Sequence, residues 1–92
     1  MNKPKRLDRV IERQMDNELV LYDSQTDRTF LLNHVSAAIW DLCDGTNTIQ
    51  DIAREISIHF HTPEQTVLDD AMAAIRKFLA EGILVEAGES GR

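Results

Sequence analysis

The sequence predicts an α+β fold of the winged helix-turn-helix type, in which an N-terminal three-stranded antiparallel sheet is followed by three helices. The first third of the chain holds three short apolar runs, each containing β-branched residues or leucine, separated by polar segments. The next part holds three stretches whose apolar residues recur every three or four positions, each beginning beside a capping residue. Only a few residues separate the second stretch from the third, as in a helix-turn-helix.

Composition limits the chain to one folded domain. Its 92 residues are 42% hydrophobic, which suffices for one modest core. The net charge is −6 and is unevenly distributed, with +3 over residues 1–13 and −9 over residues 14–92. Because an acidic body repels nucleic acids and anionic membranes, we expect neither as a partner and expect partners with basic segments instead.

The ends of the chain are predicted to lie outside the domain. Residues 1–8 are basic and contain a proline, which favours a flexible arm; residues 9–86 form the domain, and residues 87–92 form a flexible tail. No apolar run is long enough to span a bilayer, and "MNKPKRLDR" lacks the apolar core of a signal peptide. A single cysteine, Cys43, fits a reducing compartment, so we expect a cytoplasmic protein.

Three strands are predicted in order: Arg9–Arg13, Glu18–Tyr22 and Arg28–Leu32. The polar segment "DSQTD" between the last two has the length of a hairpin loop. Both of these strands are apolar at adjacent positions, so alternation does not select one buried face. One face can cover the helices while the other face, or an edge, remains available to a partner.

The first two helices have clear start signals. Asn33 is placed to cap the first helix, and Gly45 after Asp44 is predicted to end it in the left-handed conformation. Thr48 is placed to cap the second helix.

The third helix has signals at both ends. The run "TPEQ" predicts Thr62 as its N-cap, with Pro63 in the first turn. Gly82 is predicted to end the helix, with Ile83 folding back on Phe78 as in a Schellman motif. The segment "ILVEA" that follows predicts a short strand.

The sequence offers no catalytic or metal-binding motif. His34, His59, His61 and Cys43 lack the spacing of a metal site, since neither CxxC nor HExxH is present. Cys43 lies late in a helix, next to Asp44, where the helix dipole raises rather than lowers a thiol pKa. We therefore expect no enzyme activity, no catalytic residue, no metal and no cofactor.

DNA binding is the alternative that the helix-turn-helix pattern raises. The third helix would be the recognition helix, yet it carries Glu64, Asp69 and Asp70 before its first base, Arg76. Three acids would face phosphates unfavourably. A winged-helix DNA-binding regulator therefore stands as the alternative function.

The segments "FLLNHVSAAIWDLCDGTNTIQDIAREI" and "DDAMAAIRKFLAEGILV" resemble the PqqD family, named for coenzyme PQQ synthesis protein D. The shared features are Leu32-Asn33, the run Leu42–Gly45, Ile52-Ala53, an aspartate at Asp70 and the run Phe78–Val85. The resemblance as a whole covers about residues 9–86. Members closest to PQQ synthesis carry Pro-Glu in the hairpin, where this chain has "LYDSQTDRTF". We therefore expect a PqqD-like protein of a related pathway.

The resemblance implies a non-catalytic peptide-binding module, the recognition element of pathways that modify ribosomally made peptides. In the family, the leader of a precursor peptide adds a strand beside the third strand, in a groove that the third helix closes. The module then presents the precursor to a modifying enzyme, which in PQQ synthesis is a radical S-adenosylmethionine enzyme. Because a free edge can also pair with a second copy, a homodimer is a further expectation.

Carried onto this chain, the resemblance predicts a peptide-binding site on the third strand and the third helix. On the helix, small alanines would leave room for leader side chains, although helix propensity explains each alanine equally well. Asp70 and Lys77 would read charges at the rim. The predicted site residues are Arg28, Thr29, Phe30, Leu31, Leu32, Val67, Asp70, Ala71, Ala74, Lys77 and Phe78.

Overall fold

The computed structural model describes residues 3–87 and confirms the α+β, winged-helix-like architecture. A three-stranded antiparallel sheet precedes three helices, and a two-stranded sheet accompanies them. The elements are β1 (Lys3–Arg6), β2 (Val10–Met15), β3 (Glu18–Asp23), β4 (Arg28–Leu32), α1 (His34–Leu42), α2 (Ile49–Phe60), α3 (Glu64–Ala80) and β5 (Leu84–Ala87). Among the described residues, no helix combines the length and apolar character that crossing a membrane requires.

The prediction of a flexible arm over residues 1–8 is wrong for the part that the structure describes. Lys3–Arg6 forms β1, which pairs antiparallel with β5. Pro4 is fully buried, and the Arg6 guanidinium donates to the Trp40 carbonyl at 3.0 Å. The sequence predicted a solvated arm because charged residues dominate this segment. In the structure, the strand buries its proline, and its arginine serves as a hydrogen-bond donor. Residues 1, 2 and 88–92, including the rest of the predicted tail, lie outside the described residues.

The main sheet has the order β2-β3-β4, which leaves β4 at an edge. Its core face packs on the helices and includes the buried residues Val10, Leu21, Asp23 and Leu32. Side chains alternate between the faces of a strand, so the residues between these lie on the opposite face. We call this second side the outer face; it carries Ile11, Arg13, Met15, Val20, Tyr22, Thr29 and Leu31.

Three of the predicted helix signals are confirmed. The Asn33 side chain accepts from the Ser36 N–H at 2.9 Å and caps α1. Thr48 and Asp51 form a reciprocal capping box at the start of α2. At the end of α3, Gly82 has φ +75° and the Ile83 N–H donates to the Phe78 carbonyl, which is the Schellman arrangement.

Gly45 does not end α1 directly, as the sequence predicts. The helix ends at Leu42 with Cys43 as its C-cap, and Gly45 lies beyond it with φ +88°. The Gly45 N–H donates to the Pro4 carbonyl at 2.9 Å, and an added Cβ would lie 3.2 Å from the Lys5 side chain. This glycine therefore allows β1 to approach the loop closely.

The N-cap of α3 is Pro63 rather than the predicted Thr62, and it makes no side-chain capping bond. The Thr62 hydroxyl donates instead to the Phe60 carbonyl, and the Thr62 carbonyl accepts from Ser57. The turn after α2, in which His61 adopts φ +55°, thus engages the threonine before α3 begins.

Trp40 joins three elements at the centre of the core. It is fully buried, and its indole Nε1 donates to Glu12 Oε2 on β2 at 3.0 Å. Its ring meets the ring of Phe78 on α3 edge-on, with centroids 5.3 Å apart. This contact fixes the position of α3 relative to α1, and hence the distance of α3 from the sheet.

Candidate functional site

A groove of about 480 Å³ runs between β4 and the C-terminal part of α3. Other clefts between described residues have volumes of about 210, 220 and 180 Å³. The groove is lined by Arg28, Thr29, Phe30, Leu31, Leu32, Ser36, Ala74, Lys77, Phe78 and Glu81.

One side of the groove is the unpaired edge of β4. A two-residue turn joins β2 to β3, so Met15 and Glu18 are the paired residues next to the turn. In hairpins of this kind, these two residues exchange backbone hydrogen bonds. Bonded and non-bonded pairs then alternate along each ladder. Consistent with this alternation, the Val10 N–H points away from β3 and donates to the Leu7 carbonyl. Residues of β3 whose backbone groups do not bond to β2 direct them to β4 instead. Leu21 is one of these residues, so it is hydrogen bonded to Phe30, its partner on β4.

The alternation identifies which backbone groups β4 offers to a partner. Arg28, Phe30 and Leu32 direct their N–H and C=O groups to β3, whereas Thr29 and Leu31 direct theirs outward. No described strand pairs with this edge. An extended chain lying in the groove can therefore form hydrogen bonds with Thr29 and Leu31.

The opposite wall and the floor come from α3. Ala74 is half-buried and presents only a methyl group, so the helix approaches the strand without filling the space between them. Phe78 is buried beneath, with its ring held against Trp40. The floor is thus apolar and its position is fixed by the core.

Charged side chains line one end of the groove and its rim. The Arg28 guanidinium pairs with the Glu81 carboxylate at 3.2 Å and lies 5.7 Å from the centre of the Phe30 ring. Lys77 is exposed and makes no ion pair within 4 Å among the described residues. Among the described residues, the groove therefore carries one positive charge that no ion pair compensates, on an otherwise acidic chain.

An ion pair between the buried Asp23 and the partly exposed Arg9 holds the elements at the charged end of the groove. The carboxylate of Asp23, at the end of β3, is fully buried and accepts from Arg9 at 2.8 and 3.0 Å and from the Gln25 N–H at 3.0 Å. The hydrogen bonds from Arg9 lower the pKa of Asp23 to about 2, against the opposing effect of desolvation. Arg9 also donates to the Gly82 carbonyl at 2.9 Å, which ties the β3–β4 loop to the end of α3.

The structure brings together eight of the eleven residues that the sequence predicts for the site. The five residues of β4 line the groove together with Ala74, Lys77 and Phe78. Val67 and Ala71 point into the core instead, and Asp70 is exposed but outside the lining.

Ser36 and Glu81 line the groove but were not predicted. Ser36 lies in the first turn of α1, directly after the edge strand. This closeness in the chain is the sequence feature that could have indicated its place in the groove. Glu81 lies four residues after Lys77, on the same side of the helix, immediately beyond its last turn.

The remaining reactive groups do not form a second site. The Cys43 thiol is buried and donates to the Ile39 carbonyl, and burial raises its pKa to about 12. Within residues 3–87, no three His, Cys, Asp or Glu side chains converge as metal ligands would. On α3, Glu64, Asp69 and Asp70 are all exposed, so the helix expected to enter a DNA groove presents acids.

Comparison with known proteins links this chain to a family. The model of the family described as coenzyme PQQ synthesis protein D (PqqD) matches residues 18–84. The PqqA binding protein of Bradyrhizobium diazoefficiens is 22% identical over 63 residues, which are 68% of this chain and 61% of that relative. This chain thus spans about three fifths of the relative's length.

Two solved structures share the fold. TbiB1 in complex with the TbiA(beta) leader peptide superposes with a TM-score of 0.76 at 28% identity, covering 87% of this chain and 93% of TbiB1. Lasso peptide synthetase B1 complexed with the leader peptide superposes with a TM-score of 0.78 at 17% identity, covering 90% of this chain and 98% of the synthetase chain. The second likeness concerns the fold alone.

Proposed function

Because this chain belongs to the PqqD family, we propose that it is a non-catalytic module that binds the leader of a ribosomally made precursor peptide. The leader adds a strand to the edge of β4, and the module presents the precursor to a modifying enzyme, as in PQQ biosynthesis or a related pathway. The observation that carries the proposal is the unpaired edge of β4, which lies beside a groove of about 480 Å³.

The named relatives support a peptide as the ligand. One of them is named for binding PqqA, and TbiB1 was solved with a leader peptide. The match covers 93% of TbiB1 and 87% of this chain, so the two proteins share most of the fold in which the groove lies.

The groove has the features that strand addition requires. Thr29 and Leu31 offer two N–H and two C=O groups, and each hydrogen bond contributes a net of about 0.5–1.5 kcal/mol. Burial of leader side chains against Phe30, Ala74 and Phe78 adds roughly 25 cal/mol per Å² of apolar surface. After the cost of ordering the peptide, micromolar binding, about −8 kcal/mol, is a reasonable expectation.

The chemistry is assigned to a partner enzyme. The thiol of Cys43 is sequestered, and the groove itself holds no nucleophile with an adjacent base. In a PQQ-type pathway the partner would be a radical S-adenosylmethionine enzyme. While the leader occupies β4, the edge strand β2 and its outer-face residues remain free for that enzyme.

An amide-resolved NMR titration tests the proposal, using the synthetic leader of the precursor encoded beside the gene. We expect the largest shifts in Arg28–Leu32 and in Ala74–Glu81, with a scrambled leader and a DNA duplex as controls. Shifts that avoid both segments, or equal shifts with the scrambled peptide, would overturn strand addition. Shifts with duplex alone would favour the DNA-binding alternative.

The same edge also permits a homodimer, in which β4 pairs with β4 of a second copy. Such a dimer would occlude the groove, so the leader should dissociate it. Light scattering at high protein concentration, with and without leader, would detect this exchange; a monomer throughout would rule the dimer out.

A further inference from the structure

The register of β4 determines which leader side chains meet which part of the protein. This inference rests on the proposed function. A residue directly opposite another on a neighbouring strand projects to the same face. The leader residue opposite Phe30 therefore projects into the groove, and its neighbour in sequence, opposite Leu31, projects to the outer face. This holds whether the leader runs parallel or antiparallel to β4.

The groove-facing position lies beside Lys77. The contact between Arg28 and Glu81 fixes one end of the groove at 3.2 Å. Lys77 precedes Glu81 by four residues, which is about 6 Å along the axis of α3. This is close to the rise of about 6.7 Å that separates Arg28 from Phe30 along the strand. Lys77 and Phe30 both line the groove, and with α3 running along the strand this spacing puts Lys77 level with Phe30.

The charges at this level favour an acidic leader residue. Glu81 already has Arg28 as its partner, whereas Lys77 has no acid within 4 Å among the described residues. A basic leader residue would meet two cations, Lys77 and Arg28. A carboxylate would instead accept from the free ammonium group in a partly enclosed space.

The outer-face position lies beside Leu31. Its side chain is 63% exposed, although the residue stands in a regular strand. Across the sheet it lies next to Val20, which is half-buried. A leader residue added opposite Leu31 extends this row, so an apolar side chain there would cover surface that the isolated domain leaves in water.

From these two positions we infer that the chain selects leaders in which an acidic residue, held by Lys77, is adjacent in sequence to an apolar residue that packs on Leu31. Lys77 and Leu31 are the specificity-determining residues of the groove, and they read consecutive leader residues on opposite faces of the extended sheet.

Selection from a phage-displayed library of random 12-residue peptides on the immobilised protein tests this inference. Enriched peptides should share an Asp or Glu next to Leu, Ile, Val, Met or Phe. Lys77→Glu should shift the preference from acidic to basic residues, and it should weaken the best acidic peptide about tenfold in a fluorescence-anisotropy titration. Leu31→Thr should reduce the apolar preference at the adjacent position.

Matched variants control for general effects. Arg76→Glu makes the same charge change on α3, but Arg76 lies outside the groove, in the cleft beside Met72 and Glu86. Ile11→Thr removes an exposed apolar residue from the outer face on β2, away from the β4 edge. Both variants should select the same peptides as the unchanged protein.

The outcomes separate this inference from the function beneath it. If peptides are enriched without the acidic–apolar pair, or if Lys77→Glu selects the same peptides as Arg76→Glu, the specificity assignment is overturned while groove binding stands. If no peptide is enriched above the display background, peptide binding by the groove and the specificity assignment both fail.

Discussion

Replacement of Thr29 by proline is the sharpest test of strand addition, because the register assigns its N–H to the leader rather than to β3. Proline removes this donor but is tolerated where an edge strand faces outward. Thr29 is exposed, so no core contact is lost. We therefore expect Thr29→Pro to fold and to bind the leader more weakly.

The size of the loss follows from the single donor removed. One net hydrogen bond is worth about 0.5–1.5 kcal/mol, and a leader carbonyl left unpaired in the groove costs about 1–3 kcal/mol. The cost of the unpaired carbonyl sets the scale of the loss, and about 1–3 kcal/mol corresponds to a 5- to 150-fold rise in Kd, measurable by anisotropy of a labelled leader. Thr29→Ala removes the hydroxyl and methyl groups of the side chain but keeps the N–H, so its binding should stay near that of the unchanged protein.

Phe30→Pro supplies the contrast one residue further along. Its N–H faces β3, and its half-buried ring lines the groove. Loss of both should destabilise the fold by roughly 3 kcal/mol, which lowers Tm by more than about 10 °C in a domain of this size. If Thr29→Pro binds the leader normally, or if Thr29→Pro unfolds while Phe30→Pro does not, the register argument for the β4 edge is refuted.

Three further predictions concern the scaffold. The pKa of Asp23 is about 2, below its unfolded value, so the carboxylate stabilises the fold above about pH 4 and this contribution is lost as the pH falls towards 2. Urea midpoints measured across this pH range should therefore fall less for Asp23→Asn than for the unchanged protein. Thr48→Ala removes one half of the α2 capping box and should cost about 1 kcal/mol, seen as a lower thermal midpoint by circular dichroism. The Cys43 thiol, buried and with a pKa of about 12, should react with a thiol reagent only after denaturant is added.

Local signals in the sequence predicted most of the fold. The caps at Asn33 and Thr48 and the Schellman end at Gly82 each depend on residues three to five positions apart, and all three are present. The pairing of Lys3–Arg6 with β5 is a long-range contact, and no local pattern reveals it. Thr62 was wrongly predicted to be the N-cap of α3, because it is hydrogen bonded to the end of α2 instead. The local sequence pattern does not show that contact.

The site was predictable as a strand and a helix but not in its detailed lining. The β4 strand follows from its apolar run, whereas its role in the site, and that of Ala74 and Lys77 on the third helix, came from the resemblance to the PqqD family. Val67 and Ala71 lie on the same helix yet are buried in the core, because only the C-terminal turns of α3 line the groove. Which turns do so depends on tertiary packing such as the contact of Trp40 with Phe78, and the local sequence pattern does not record it.

The pairing of β1 with β5 has a consequence for the order of folding. Hairpins between adjacent strands and helices joined by short turns close small loops, whereas this pairing closes nearly the whole described chain. The β4 edge and α3 can therefore be assembled before the two ends meet, and the β1–β5 pair is expected to form after the rate-limiting step. Substitutions in Lys3–Arg6 should then accelerate unfolding in stopped-flow experiments while leaving the refolding rate almost unchanged.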